Sequence, residues 1–509
     1  MFDAAMEGLY ALLTLESLIY LLVGVVFGVA FGFLPGLGGI VAMALLLPFV
    51  FGLDPATAMC LLLGAHVATV YNTGITSILF GIPGASKSLA LTFDGYPLSQ
   101  KGQSIRALRA TAFATAIGGF LGLVFLVAAM PLLKSVMLEL GQPEYFVLGV
   151  WALSLIAAFN DGYVSRGLAA AGLGVLLAYV GRDPISSTSR FTFDWLFLQD
   201  GISIPVAFIG LFAIPQMISL YQQGGTISGT RQATRRKDIQ KFPDIRENKQ
   251  LIAKSSLFGI FIGVMPGVGA TLGNLASYGQ TARSTKDPDP PFGQGNIKGV
   301  IAPATVLGAN EGSELLPTVS LGIPGGESSA ILLSALIVLG VTPGPAMITE
   351  HEALIYSIIW VVFFAFIITT LAGYFTAPLF ARMTTMSSGR LVPLVIVLCL
   401  VGAFSVHQRI EDVLVATGLG IVGYYLRKYH FSLAALAVGL VLGGLLERWL
   451  HISTETYGPF FWLTRPVTLV FSIAVIGTLL LPTLRTWFGR STKTPPPLSL
   501  TDTEKEKVQ

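Results

Sequence analysis

The stretch Phe80-Gly-Ile-Pro-Gly-Ala-Ser-Lys-Ser-Leu-Ala-Leu91 returns later in the chain as Leu321-Gly-Ile-Pro-Gly-Gly-Glu-Ser-Ser-Ala-Ile-Leu332, with six of twelve positions identical. A second pair, Leu34-Pro-Gly-Leu-Gly-Gly39 and Met265-Pro-Gly-Val-Gly-Ala270, precedes the first, 46 residues ahead in one copy and 56 in the other. The extra residues of the second copy are accommodated by a polar stretch, Thr281 to Lys298, whose Pro-Asp alternation cannot form a helix interior. A duplicated unit is the economical reading. Each Pro-Gly element interrupts an apolar segment. The proline removes a backbone hydrogen bond and crowds the preceding turn, and glycine tolerates the dihedrals that follow.

The surroundings of these breaks are a membrane's. Of 509 residues 53% are apolar and only 12% charged, with a mean hydropathy of +0.73, against roughly 25% charged residues in an ordinary soluble protein. At roughly 20 residues per crossing the chain holds about a dozen transmembrane helices. The expected class is an all-α polytopic membrane protein, which excludes a secreted enzyme, a nucleic-acid binder and a disordered scaffold. Cys60 and Cys399 lie inside apolar runs and read as small core residues.

Charge sets the orientation. No Lys or Arg occurs before Lys87, whereas Asp3, Glu7, Glu16 and Asp54 are acidic, so no cleaved leader is expected and the N-terminus is expected outside. Arg231, Arg235, Arg236, Lys237, Lys241, Arg246, Lys249 and Lys254 crowd one polar segment, which the positive-inside rule makes cytoplasmic. The polar tail with Arg485, Arg490, Lys493, Lys505 and Lys507 is also expected inside. The expected organisation is membrane repeat 1 (1–222), a basic cytoplasmic linker (223–254), membrane repeat 2 (255–484) and a polar tail (485–509). The first copy begins at the outer face and the second follows the cytoplasmic linker. The two are therefore expected to be inverted repeats about an axis in the membrane plane.

Breaks in hydrocarbon are tolerated only where protein or a water-filled cavity covers the freed backbone, and matched breaks in inverted repeats point to the binding site of a secondary transporter. The N–H groups freed after each break suit an anion. The candidate substrate-binding set is Pro35, Gly36, Gly38, Asn72, Thr73, Ser77, Pro83, Gly84, Ser86, Lys87, Pro266, Gly267, Gly269, Asn310, Ser313, Pro324, Gly325 and Ser328. The alternative for its Asn, Ser and Thr members is interhelical hydrogen bonding. The four tips, Pro35–Gly39, Ile82–Ser88, Pro266–Thr271 and Ile323–Ser329, are expected to meet on one polar cavity. Glu311 and Glu314, with Asn310 and Ser320, are the candidate cation-coupling set. An isolated carboxylate in such a region costs several kcal/mol, so a cation, Na⁺ by preference or H⁺, is expected between it and an anionic substrate. The alternative is a structural pairing with Lys87 or Lys298. Lys87, at a helix start where the dipole disfavours a cation, needs an anion near it, either a substrate carboxylate or Glu327. His66 reads as a packing residue in preference to a proton carrier, and the remaining histidines have no metal-ligand spacing.

The paired breaks, with Leu53-Asp-Pro-Ala-Thr-Ala, Phe93-Asp-Gly-Tyr-Pro-Leu-Ser-Gln-Lys-Gly102 and Gly340-Val-Thr-Pro-Gly-Pro345, resemble the TctA-type large membrane subunit of the tripartite tricarboxylate transporters over roughly Gly24 to Trp449. The resemblance implies cation-coupled uptake of a carboxylate in the bacterial inner membrane. It also implies two partners, a small TctB-type membrane subunit and a periplasmic TctC-type binding protein, with no nucleotide hydrolysed and no organic cofactor. Glu327 stands where the family usually has a small residue, so citrate is not assumed as the substrate. The alternatives from other classes are an intramembrane enzyme built on Glu311, Glu314 and His66, which would lack a nucleophile elbow or zinc motif, and an anion channel.

Overall fold

The computed structural model describes residues 2–33, 38–137, 139–158, 164–183, 186–223, 226–228, 243–266, 269–380 and 385–487. They form an all-α polytopic membrane protein: six helices are long and apolar enough to cross a membrane, and shorter apolar helices fill in between. The helices are α1 (Phe2–Leu12), α2 (Leu15–Gly32), α3 (Gly38–Leu46), α4 (Pro55–Phe80), α5 (Ala90–Gln100), α6 (Ser104–Met137), α7 (Gln142–Ala158) and α8 (Val164–Ala178). They continue with α9 (Ile204–Gln222), which carries a π-helical turn at Ile209–Ala213. After the basic segment come α10 (Lys249–Val264), α11 (Gly269–Ser284), α12 (Lys298–Ser313), α13 (Leu315–Leu321), α14 (Glu327–Val338), α15 (Glu352–Phe380), α16 (Ser388–His407), α17 (Ile410–Lys428), α18 (Leu433–Tyr457) and α19 (Pro466–Trp487). Besides shorter helical turns there are two short antiparallel strand pairs: β1 (Gly181–Arg182) with β2 (Ser189–Arg190), and β3 (Thr226–Ser228) with β4 (Thr385–Ser387).

Helix α4 is the buried centre of the first half. Asp54 caps its start, with Oδ1 accepting from the Ala56 N–H at 2.9 Å, and Pro55 takes the first helical position where no donor is needed. Gly81, at φ +68°, ends it in the left-handed conformation that glycine adopts most cheaply. The second half repeats the exit: Gly322, at φ +67°, ends α13. What is one helix in the first half is two in the second because Pro317 has no N–H to offer the Ser313 carbonyl, and the chain breaks at Glu314. The polar stretch read as a loop from Thr281 is helical through Ser284. The first proline comes only at Pro288, and the Thr281 hydroxyl bonds back to the Ser277 carbonyl at 2.8 Å.

The packing is reciprocal between the halves. Helix α2 packs on α4 as α10 packs on α12; α6 lies on α12 as α15 lies on α4; α8 pairs with α18 as α17 pairs with α9. The glycine contacts repeat in detail. A Cβ at Gly28 would stand 2.8 Å from Ala65 Cα, and one at Gly32 would stand 2.9 Å from Thr69 Cα. In the second copy Gly259 meets Val306 at 2.9 Å and Gly263 meets Asn310 at 2.9 Å. Ala65 and Thr69 occupy in the first repeat the places of Val306 and Asn310 in the second. With lipid outside, such small-residue seams supply the close backbone approach that holds helices together. Gly28→Leu is accordingly expected to lower the yield of folded protein and its melting temperature in detergent well below those of Gly172→Leu, where an added Cβ meets nothing within 4 Å. Equal melting of the two variants would show that the seam does not hold α2 and α4 together.

Candidate functional site

The repeated exits from α4 and α13 deliver two short turns to the same place. After Gly81 the chain bends through Ala85 into a 3₁₀ turn, Ser86–Ser88, that leads into α5. Ser88 fastens the turn: its Oγ accepts from the Ala85 N–H at 3.2 Å, and Ser77 Oγ donates to it at 3.0 Å. Gly84 lies so close to α4 that a Cβ would stand 2.6 Å from the Thr73 carbonyl. Gly325, its counterpart, lies 3.1 Å by the same measure from Glu314 Cβ. Only the seated turn brings Lys87 inward, where its ammonium donates to Glu311 Oε1.

Glu311 is 5% exposed and is gripped from two sides. Its Oε2 pairs with Nε2 of His66, near the midpoint of α4, while Oε1 takes Lys87, so two elements of the first half converge on one carboxylate of the second. One turn on, Glu314 is held by neutral donors, Asn310 Nδ2 to Oε2 at 2.9 Å and Ser329 Oγ to Oε1 at 2.6 Å. Ligand atoms of His66, Glu311 and Glu314 lie within 4.8 Å of one another. They border a cavity of about 10 Å³, roughly the room of one water, whose lining also includes Ser328, Ser329, Met43 and Val362. His66 Nδ1 is buried with no hydrogen-bond partner among the described residues. It faces the start of α3, where a Cβ on Gly39 would lie 2.8 Å from it. Charges this deep demand partners or ligands, and the cluster supplies both signs.

The structure thus brings together Lys87, Asn310, Glu311, Glu314 and Ser328 of the residues selected from sequence. Lys87 finds its anion in Glu311, not in Glu327, which heads α14. Gly38 has φ +45°, and a Cβ there would be 3.5 Å from Ala85 Cβ, so the first break adjoins the second. Pro83, Gly84, Pro324 and Gly325 shape the two turns, and Ser86 opens the first. Other selected residues spend their donors locally. Asn72 Nδ2 bonds the Ala68 carbonyl at 2.6 Å, Thr73 Oγ1 the Val70 carbonyl at 3.0 Å, and Ser313 Oγ the Ala309 carbonyl at 2.8 Å. Ser320 bonds back to Leu316, and Ser77 serves the Lys87 turn. Pro266 follows α10 and Gly269 opens α11; Pro35, Gly36 and Gly267 lie outside the described residues.

Two residues that build the site and its support escaped the matched motifs. His66 was visible as a lone histidine in an apolar run but has no counterpart in the other repeat. Asp94, in the Phe93-Asp-Gly-Tyr stretch, is fully buried. Its Oδ1 accepts from the N–H groups of Gly293 at 2.9 Å, Gly295 at 2.7 Å and Asn296 at 2.7 Å, and its Oδ2 accepts from the Tyr278 hydroxyl at 2.9 Å. It ties α5, and with it the Lys87 turn, to the connection between α11 and α12.

Comparison with known proteins places this geometry. Residues 18–438 match the model of the tripartite tricarboxylate transporter TctA family. An uncharacterized 52.8 kDa protein in the TAR-I ttuC' 3' region of Agrobacterium vitis is 30% identical over 484 residues, 94% of this chain and 96% of that protein. An uncharacterized protein in the TAR-II ttuC' 3' region of the same organism is 33% identical over 193 residues, 38% of this chain and 79% of that protein. No solved structure matches. With the family's pattern running through both repeats and the charged cluster between them, the chain belongs to the TctA family, the large membrane subunits of tripartite tricarboxylate transporters.

Proposed function

We propose that this chain forms the translocation path of a cation-coupled secondary transporter that takes up a small carboxylate. The carrying observation is the buried cluster of Lys87, His66, Glu311 and Glu314, where the broken segments of both repeats meet. An ammonium on a glycine-hinged turn is a natural partner for a substrate carboxylate. Two acidic groups one helical turn apart invite a cation between them, Na⁺ by preference because the neighbouring carbonyls, Asn310 and Ser329 are hard oxygen ligands. Reciprocal packing of the halves supports inverted repeats about an axis in the membrane plane, rocking around this fixed site. The organisation we adopt is repeat 1 (1–222), cytoplasmic linker (223–254), repeat 2 (255–484) and cytoplasmic tail, with the N-terminus outside in the bacterial inner membrane. A periplasmic binding protein of the TctC type delivers the substrate, and a small TctB-type subunit accompanies this chain.

The test is uptake and counterflow. Membrane vesicles containing the chain with its neighbouring subunits and binding protein are offered labelled malonate, succinate, tartrate and citrate under an imposed Na⁺ or proton gradient. Saturable accumulation of one of them, driven by one gradient and accelerated by preloaded unlabelled substrate, is expected. Absence of accumulation under both gradients would overturn the transport reading, and flux without counterflow stimulation would replace the carrier by a channel.

A further inference from the structure

We propose that Lys87 changes partners during transport: a carboxylate of the substrate takes Lys87 from Glu311, and the coupling cation takes the place of Lys87 on Glu311. The inference rests on the carboxylate-carrier reading above and adds to it the physical origin of coupling.

Lys87 is the only Lys or Arg within hydrogen-bonding reach of either cluster carboxylate among the described residues, and its partner is Glu311. In formal charges, with His66 neutral, the cluster already carries one more negative than positive charge. An incoming anion adds at least one more, and in a poorly solvated interior such an imbalance is strongly disfavoured. The anion therefore cannot be loaded alone. The geometry also says which partner yields. The Lys87 side chain is 16% exposed and sits on a three-residue 3₁₀ turn between a glycine exit and α5, whereas the Glu311 side chain is 4% exposed within α12. The ammonium has two further N–H donors with no protein acceptor among the described residues. It can grasp an entering carboxylate before it leaves Glu311, so no intermediate strands a bare lysine. Once handed over, Glu311 keeps His66 on Oε2 and lacks a partner on Oε1, with Glu314 within 4.8 Å to share a cation. The cation thus enters where the ammonium stood. Substrate and cation bind together because one of them removes the other's competitor.

This assigns an unusual behaviour to Glu311→Gln. In the native protein Glu311 competes with substrate for Lys87, and the cation relieves that competition. Gln cannot compete as an anion, so the variant should bind carboxylate without the cation. Binding of the carboxylate that the wild type accumulates is measured on purified protein in choline buffer and in Na⁺ buffer, or at high and low pH where protons drive wild-type uptake. Relative to wild type, Glu311→Gln is expected to bind at least about tenfold tighter without the cation and to show no stimulation by it. In vesicles it should no longer accumulate substrate against a gradient. Binding that is weaker than wild type and still cation-stimulated would overturn the exchange. Wild-type accumulation is measured in the same vesicles: its absence would remove the transport reading itself, whereas its presence with a cation-stimulated Glu311→Gln removes only the exchange. If Glu311→Gln fails to insert because Lys87 is left bare, Lys87→Gln/Glu311→Gln removes both charges. That double variant is expected to insert and to bind no carboxylate; cation-stimulated uptake by it would equally overturn the proposal.

Discussion

Asp94→Ala should destabilise the protein by on the order of 3–5 kcal/mol, the cost of orphaning buried partners of a charged acceptor, and should abolish uptake with it. The carboxylate is fully buried and receives three backbone N–H groups and the Tyr278 hydroxyl. Gly293 and Gly295, at φ +83° and +93°, shape the loop so that these donors point at one oxygen. Alanine strands them all, and the connection between α11 and α12 loses its hold on α5. Because α5 follows directly on the Lys87 turn, the site is loosened along with the loop. Asp94→Asn is the discriminating control: it keeps an acceptor for the backbone donors, and the Tyr278 hydroxyl can rotate to accept from the new amide. It should therefore recover most of the stability. Melting in detergent and proteolysis between residues 285 and 297 report both variants; an Asp94→Ala protein that melts like wild type would show that the clip is not needed.

The fold was legible because its punctuation is local. Proline and glycine impose their dihedrals wherever they stand, so the exits at Gly81 and Gly322 and the turns after them could be read without knowing what they pack against. The repeat could be read too, since equal local rules produce equal seams. The site was legible only in part. Its charged members break the repeat: in the matched copies His66 stands opposite Leu307, Lys87 opposite Ser328 and Glu311 opposite Val70. A scan for corresponding positions finds the scaffold and passes over the charges, which meet across the two halves, His66 and Glu311 lying 245 residues apart. Asn72, Thr73 and Ser313 show the opposite case. They are polar residues in the matched segments, but a helix lets short side chains bond back to the carbonyl three or four residues earlier, and spacing alone does not tell that from a ligand contact.

Glu314→Gln should raise the Na⁺ concentration for half-maximal uptake at least about tenfold, equivalent to roughly 1.4 kcal/mol of lost cation binding. Two carboxylates three residues apart repel, and of the two only Glu311 has an ammonium, that of Lys87, to relieve it. Glu314 is held by the Asn310 amide and the Ser329 hydroxyl, both neutral, so its charge has no positive partner among the described residues. Such a group at the edge of a small cavity is stabilised by a cation bound there, and the 4.8 Å limit on its separation from the Glu311 and His66 ligand atoms is short enough for one ion to bridge them. Glutamine preserves the shape, and Ser329 can turn its hydroxyl to accept from the new amide, so folding should be close to normal while the charge that draws the cation is gone. Ser329→Ala removes a single hydrogen bond to the same carboxylate and should shift the Na⁺ requirement less. The two variants, matched for membrane insertion, are assayed for carboxylate uptake over a range of Na⁺ at fixed pH. An unchanged Na⁺ requirement in Glu314→Gln would remove Glu314 from the ion site and leave the cation to Glu311 and the uncharged oxygens of the two broken segments.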